Sequence, residues 1–543
     1  MLKNKNTYTL ILLGVIAGIV TCYQIPATLC TPISEDAQNF IYSSYFGGSD
    51  KDMILNVAFD SQGNIIVVGG TFSTDLNASG GFQPEYAGGS TDDIHINGGD
   101  GFVFKFSPEG NQIWGTYLGG SSLDACNHLV IDDDDNIFVT GDTRSTNFPV
   151  TEDAKQVTFG GGTQDVFITK LAPNGTVQYS SYIGGPGDDS GGACALDDID
   201  QIHIAMSSTS SSLTTTSDAY QSTYGGTLDI YLSVWTNNLS ERLYGSYFGG
   251  SDAEICYSID IDSDGGIILA GNIMGENLPV LNAFKDEYSG ETRDIFVAKF
   301  YSNKSLAFST YLGGNGFDDP FGLTIGSNND VVVSGRTWST DYPVSDAIQK
   351  KMGGFVDGVI TAFSADGQEL SYSSYFGGTG WDTILKVTTG ENGKIFACGI
   401  AGANFPLKNE YNSQNVTTNN LVLMQLSEHY EIEMSTYFGA NSDDTTPFGI
   451  DYHSGSIVIA GHTRSSSLFI SEDAYQPEMG DSDEGSIIII EIENYLTGKD
   501  LSGNPSNLPT MSIAGYNIFT LGICSIILPI IAVFNMKKKY CGI

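Results

Sequence analysis

Positive charge is scarce in this chain. Lys and Arg number 23 against 64 Asp and Glu, a formal charge of −41. Nucleic-acid binding needs basic side chains that displace phosphate counterions, so that partner class is excluded. Attraction to anionic lipid surfaces is disfavoured for the same reason. Histidine is also sparse. His95, His128, His203, His429, His453 and His462 are scattered, and none forms a His-Glu-x-x-His pair or joins a nucleophile motif. No Walker-type loop is present. The eight cysteines show no CxxC or paired spacing of a zinc site. Cys126, Cys194, Cys256 and Cys398 fall inside apolar stretches and read as buried free thiols. What is abundant is Gly, 66 of 543 residues, together with 28 Tyr and 29 Phe. Such a composition, poor in long helix formers, argues for strands and tight turns. An apolar share of 41% is ample for a packed core and too high for disorder.

The two ends differ from the middle. Residues 1–27 open with Lys3 and Lys5 and continue into an apolar run from Thr9 to Val20, the layout of a signal peptide or an N-terminal anchor. Residues 494–515 read as a linker with Gly, Ser, Asn and Pro. Residues 516–536 are uncharged and long enough for a transmembrane helix, and Lys537, Lys538 and Lys539 begin a basic tail over 537–543 that belongs in the cytoplasm. Both ends predict that the region between them is extracellular and membrane-anchored. Sequons beginning at Asn77, Asn174, Asn238, Asn303 and Asn415 are permissive for glycosylation there.

A repeat organises that region. Tyr-x-Gly-Gly occurs at Tyr45, Tyr117, Tyr182, Tyr247, Tyr311 and Tyr375, and Tyr437-Phe-Gly-Ala is a seventh, altered copy. The spacings are 72, 65, 65, 64, 64 and 62 residues. Within each unit apolar residues alternate with period two, the mark of half-buried strands. The second unit predicts strands over Cys126–Asp132, Asn136–Thr143, Asp165–Leu171 and Thr176–Ile183. Four strands per unit, repeated radially, make a β-propeller blade. Phe40–Phe46 is a fourth-type strand without a unit of its own. The last unit stops after a third strand at Ser486–Ile492. Their pairing predicts an all-β, seven-bladed propeller of four-stranded blades over residues 40–493, closed by strands from both chain ends.

The repeat text resembles the SBBP β-propeller repeat family. Unit two carries it in Asn136-Ile-Phe-Val-Thr-Gly-Asp-Thr-Arg-Ser-Thr-Asn-Phe-Pro-Val150, Asp165-Val-Phe-Ile-Thr-Lys-Leu171 and Tyr179-Ser-Ser-Tyr-Ile-Gly-Gly185. The resemblance implies the propeller fold and leaves function open. Unit three departs most, with Met206-Ser-Ser-Thr-Ser-Ser-Ser-Leu213 where other units have Gly and often Phe-Pro. The linker, span and basic tail resemble archaeal surface-protein sorting signals, although Ala514-Gly515-Tyr516 stands where Pro-Gly-Phe is usual.

Three columns of residues emerge when the units are superposed. An acid follows every Gly-Gly or Gly-Ala pair by four residues: Asp52, Asp124, Asp189, Glu254, Asp318, Asp382 and Asp444. One reading is a carboxylate ring that collects Ca²⁺. The other, favoured for a feature repeated once per blade, is a turn brace that accepts backbone N–H bonds. A second column, Asp100, Asp165, Asp229, Asp294, Asp357, Asn420 and Ser486, begins strand three and reads as a turn cap. The third column, at the exit of strand two, varies: Phe72, Arg144, Thr209, Met274, Trp338, Gly402 and Arg464. Variation at a fixed geometric position suits an asymmetric ligand surface, and Phe72, Arg144, Met274, Trp338 and Arg464 are the candidate binding residues. Connections from strand two to three are long and share a face with the Gly-Gly crossovers, which makes that face the candidate binding face. The expected role is a cell-surface binding module for an extracellular glycan or protein. An extracellular hydrolase or lyase acting on glycans and a cation-stabilised component of the surface layer are the alternatives.

Overall fold

The computed structural model describes residues 41–491, except 90–98, 290–292, 411–419, 439–444, 467, 469, 472, 481 and 482. The predicted leader, linker, membrane span and basic tail lie outside the described residues. Among the described residues no helix is long and apolar enough to cross a membrane. Twenty-eight strands, β1 to β28 in chain order, form seven four-stranded antiparallel sheets. The second unit builds β6 (Asp124–Ile131), β7 (Ile137–Thr143), β8 (Asp165–Leu171) and β9 (Val177–Ile183), within two residues of the strands expected from period-two alternation. The last sheet joins β1 (Ile41–Phe46) to β28 (Glu484–Glu491), with Ile41 opposite Ile490 and Phe46 opposite Gly485. The chain thus closes its own ring, as its unmatched terminal strands require.

The first strand of each blade is innermost. β2 (Asp52–Phe59), β6, β10 (Asp189–Leu196), β14 (Glu254–Ile261), β18 (Asp318–Ile325), β22 (Thr383–Thr389) and β26 (Thr445–His453) each touch the first strands on both sides, so that β2 meets both β6 and β26. The core lies between blades. Phe46, Phe102, Phe104, Phe106, Val458 and Ile489, from the sheets at the ring closure, bury one another there. Phe46 is 1% exposed and its ring stands 5.0 Å from Phe102 and 4.9 Å from Phe104.

Each innermost strand carries a β-bulge near its start. In β6 the pairing steps from Cys126–Gly141 to His128–Thr140. A Cβ at Gly141 would run into the Ala125 carbonyl, so the bulge is why that place in strand two is glycine. Unit three has Met206 there, and its strand makes room by bulging through two residues, Gly191 and Gly192, at φ +94° and +62°. These are backbone angles that glycine tolerates. The divergent unit is therefore an ordinary blade with a compensating bulge.

The long connections behave differently from expectation. They leave the predicted face but then run back along the outer strand. Gln83 bridges Tyr117, Gln221 bridges Tyr247 and Gln349 bridges Tyr375, all antiparallel. Each loop thereby pairs part of the sheet edge that a fourth strand would otherwise expose.

Candidate functional site

The tyrosine of Tyr-x-Gly-Gly anchors this face from below. Tyr117 Oη donates to the Ser73 carbonyl (2.9 Å) and accepts from the Leu76 N–H (2.9 Å), both just beyond strand two of its own blade. Tyr182 repeats this with Ser145 (2.7 Å) and Phe148 (2.9 Å), and Tyr375 with Ser339 (2.8 Å) and Tyr342 (3.0 Å). Burial pushes the Tyr375 hydroxyl up to about 12, which keeps it a neutral donor.

The first acid column braces the same region. Asp52 accepts from the Gly48 N–H (2.7 Å), Thr71 Oγ1 (2.5 Å) and Ser73 Oγ (2.9 Å). Asp124 accepts from the Gly120 N–H (2.7 Å) and Ser145 Oγ (2.7 Å). Asp189 is held by Gly185, Ser208 and Ser210, and Asp318 by Gly314, Thr337 and Ser339. Units four and six lack the two hydroxyls. There Glu254 accepts from the Gly250 N–H (3.0 Å), and Asp382 from the Gly378 (2.9 Å) and Gly402 (2.8 Å) N–H groups. The legible signal behind this brace was the Thr/Ser-x-Ser text that straddles the variable column, as in Thr71-Phe72-Ser73 and Thr337-Trp338-Ser339. Asp444 lies outside the described residues.

These carboxyls are buried, and desolvation is the largest influence on them. It raises Asp52, Glu254 and Asp318 to about 7 and Asp124 and Asp382 to about 6, against the opposing pull of their hydrogen bonds; Asp189 is raised as well. The second column stands beside the first across the blade boundary. Asp100 and Asp124 flank Gly119, and the charge of Asp124 adds to the burial that lifts Asp100 to about 7. The seventh member of that column is Glu484, which pairs with Thr463 as Asp100 pairs with Thr71; Ser486 sits two residues further into the strand, opposite Gly461. Among the described residues no group of three or more His, Cys, Asp or Glu side chains is placed to hold a metal ion. The four cysteines of the described region are free and buried.

The variable column is held by a repeated main-chain bond. The N–H of Phe72, Arg144, Thr209, Met274 and Trp338 donates to the carbonyl of Lys51, Leu123, Asp188, Ala253 and Phe317, respectively, at 2.8–3.0 Å. Five members of the column, four of them candidate binding residues, thus occupy five blades at one geometric position. Met274 is exposed, Phe72, Arg144 and Trp338 half-buried. Arg464 is exposed and grips Asp483 through Nε (2.9 Å) and Nη2 (3.2 Å), with His462 against the same carboxylate.

Around Trp338 the structure gathers side chains that the column alignment did not single out. Trp338 meets Trp381 edge-on at 5.3 Å and 89°, and Phe317 at 5.8 Å and 71°. Phe355 lies 6.4 Å from Trp381. The Arg336 guanidinium sits 4.8 Å from the Trp338 ring, 5.5 Å from Trp381 and 5.0 Å from Phe321. Arg293 covers Phe317 at 5.3 Å. Both guanidiniums share one carboxylate, Asp319: Arg336 Nε and Nη2 donate to Oδ2 (3.0 Å each), Arg293 Nη2 to Oδ2 (2.9 Å), and Arg293 Nε lies 2.6 Å from Oδ1. Phe317, Phe355 and Trp381 are 41%, 71% and 37% exposed. Blades four, five and six all contribute to this patch. Trp381 and Phe317 occupy equivalent places, one residue before Asp382 and Asp318. Two large aromatics in successive units of that column were the sequence signal for the patch.

This geometry defines the chain as a seven-bladed β-propeller with an aromatic–arginine patch at one mouth. Residues 113–149 match the family model of the SBBP β-propeller repeat. No curated protein matches the chain. Among solved structures it is similar to the Pan2 WD40 domain of Neurospora crassa, with a TM-score of 0.42 and 7% identity over 83% of this chain and 95% of that one. It is also similar to the polysaccharide lyase Uly1, with a TM-score of 0.41 and 10% identity over 84% and 100%. The WD40 propeller of Doa1 gives a TM-score of 0.41 and 11% identity over 83% and 98%.

Proposed function

We propose that this protein is a membrane-anchored cell-surface propeller that binds an extracellular glycan or protein at the mouth formed by its crossovers and strand-two exits. The observation that carries the reading is the cluster of exposed Trp381, Phe317 and Phe355 with half-buried Trp338 around two arginines. Large aromatic faces left at the surface of a rigid scaffold are what recognition sites are built from. The repeated braces hold the surrounding backbone, so these side chains are presented without ordering a loop. The predicted leader and the apolar 516–536 segment support the surface address. The test is a glycan and protein array probed with the full chain in detergent. Capture that disappears in a Trp338→Ala/Trp381→Ala variant of unchanged melting temperature supports the reading. Capture that survives the double substitution removes the site.

A further inference from the structure

We infer that the Trp338–Arg336 corner recognises a carboxylated sugar ring, a uronate within an acidic glycan; this rests on the binding-module reading above. The charge arrangement carries the inference. Two guanidiniums share the single carboxylate of Asp319, which is 3% exposed and already accepts from both. No second carboxylate pairs with either arginine among the described residues. Among the described residues the two guanidiniums thus have one ion-pairing carboxylate between them, in a chain whose formal charge is −41. The arginine side chains are 31% and 24% exposed, so the charge reaches solvent.

The neighbouring acids direct their oxygens at other donors. Asp318 is fully buried and held by Gly314, Thr337 and Ser339. Asp382 is held by Gly378 and Gly402, and Asp357 by Gly353, Gly354 and Gln349. Asp341 on the same rim is turned onto the Asn315 N–H (2.8 Å). At the position that presents Asp188 in blade three, blades five and six present Phe317 and Trp381. At physiological ionic strength charges beyond about 8 Å are largely screened, so a ligand at the patch meets chiefly the local charges, the arginine pair among them.

The aromatic geometry selects the rest of the ligand. A cationic ligand would seek the ring faces, but Arg336 already fills the cation position between Trp338, Trp381 and Phe321. The exposed parts of Trp381, Phe355 and Phe317 remain for the C–H face of a pyranose. Arg336 and Arg293, oriented by Asp319, then offer planar N–H pairs to a carboxylate at the ring's edge. Apolar stacking alone would accept neutral sugars equally, so the arginines are assigned the discrimination.

The probe is an oligogalacturonate and its methyl ester, which differ only at the carboxyl group, titrated onto the full chain in detergent. The expected result is a preference of about ten- to hundredfold for the acid form, the range of a hydrogen bond to a charged group. Arg336→Gln erases the preference while leaving residual binding of both forms. Arg293→Gln reduces it and serves as the second variant, should Arg336→Gln melt early. Trp338→Ala/Trp381→Ala loses both forms. Equal affinity for acid and ester overturns the charge inference and leaves the binding reading standing, as does absence of binding to either probe when the array shows a patch-dependent ligand of another kind. Binding of the acid form that is unmoved by the tryptophan pair places the ligand elsewhere and overturns both.

Discussion

Tyr375 offers a clean test of how the mouth is held. Its ring is 1% exposed and its hydroxyl serves two main-chain groups at once, the Ser339 carbonyl at 2.8 Å and the Tyr342 N–H at 3.0 Å. Phe in its place keeps the shape of the ring and leaves both groups buried without partners. Each orphan costs about 1–3 kcal/mol, so Tyr375→Phe is expected to destabilise by about 2–6 kcal/mol. Unfolding entropy of about 2 cal/mol/K per residue over roughly 450 residues converts this to a drop of about 2–7 °C, if the ring melts cooperatively. Thermal melting followed by tryptophan fluorescence, with Tyr301→Phe as control, reads the difference. Tyr301 is 54% exposed, so its substitution is expected to leave the melt unchanged. Trp338 adjoins Ser339, so loss of the pin also weakens ligand capture at the patch. Equal melting temperatures for the two variants would refute the pin, since water would then have replaced the hydroxyl at no cost.

Further outcomes follow from the same structure. Desolvation holds Asp52, Asp100, Asp165, Glu254 and Asp318 near 7 in the fold, against 3.8 for an ordinary Asp and 4.5 for Glu. The folded chain keeps protons that the unfolded chain releases, so their contribution is fully present below about pH 4 and is lost as pH rises through 6–7. On the opposite face burial would raise Asp60 and Asp132, but their hydrogen bonds and Lys105 or Lys170 win and hold them below the usual range; that contribution is lost as pH falls below about 4. The melting temperature should therefore be higher at pH 5 than at pH 8, and a profile that climbs from 5 to 8 would contradict the burial argument. Phe46→Ala should cost about 3–5 kcal/mol by opening a cavity at the ring closure, read as a shifted denaturation midpoint; a neutral result would mean β1 contributes little to closure. A chelator should leave the melt unchanged, because Asp52, Asp124 and Asp318 each accept from hydroxyl and N–H donors of their own blade; a lowered melt would support the Ca²⁺ ring.

Much of this architecture is local and therefore readable from the chain. Period-two alternation placed the strands, the recurring Tyr-x-Gly-Gly counted the blades, and a surplus strand before the first unit with a missing fourth strand in the last announced the closure between Ile41–Phe46 and Glu484–Glu491. The first acid column was legible as well, because its partners lie within one unit: a glycine four residues back and hydroxyls about twenty residues on. The register slip from Ser486 to Glu484 arose where the last unit diverges and alternation alone leaves the strand start ambiguous. Other features had no local signature. That the long connections turn back along the outer strand depends on an unpaired edge existing beside them. Arg336 reads in sequence as an interior residue of β19 (Val331–Thr337) and Arg293 as an unremarkable loop residue. Only the ring brings residues 293, 319, 336 and 381, from three blades, onto one carboxylate and one pair of indoles. Strand periodicity is set by each residue's own neighbours, whereas a site assembled across blades is set by the angle at which whole sheets meet.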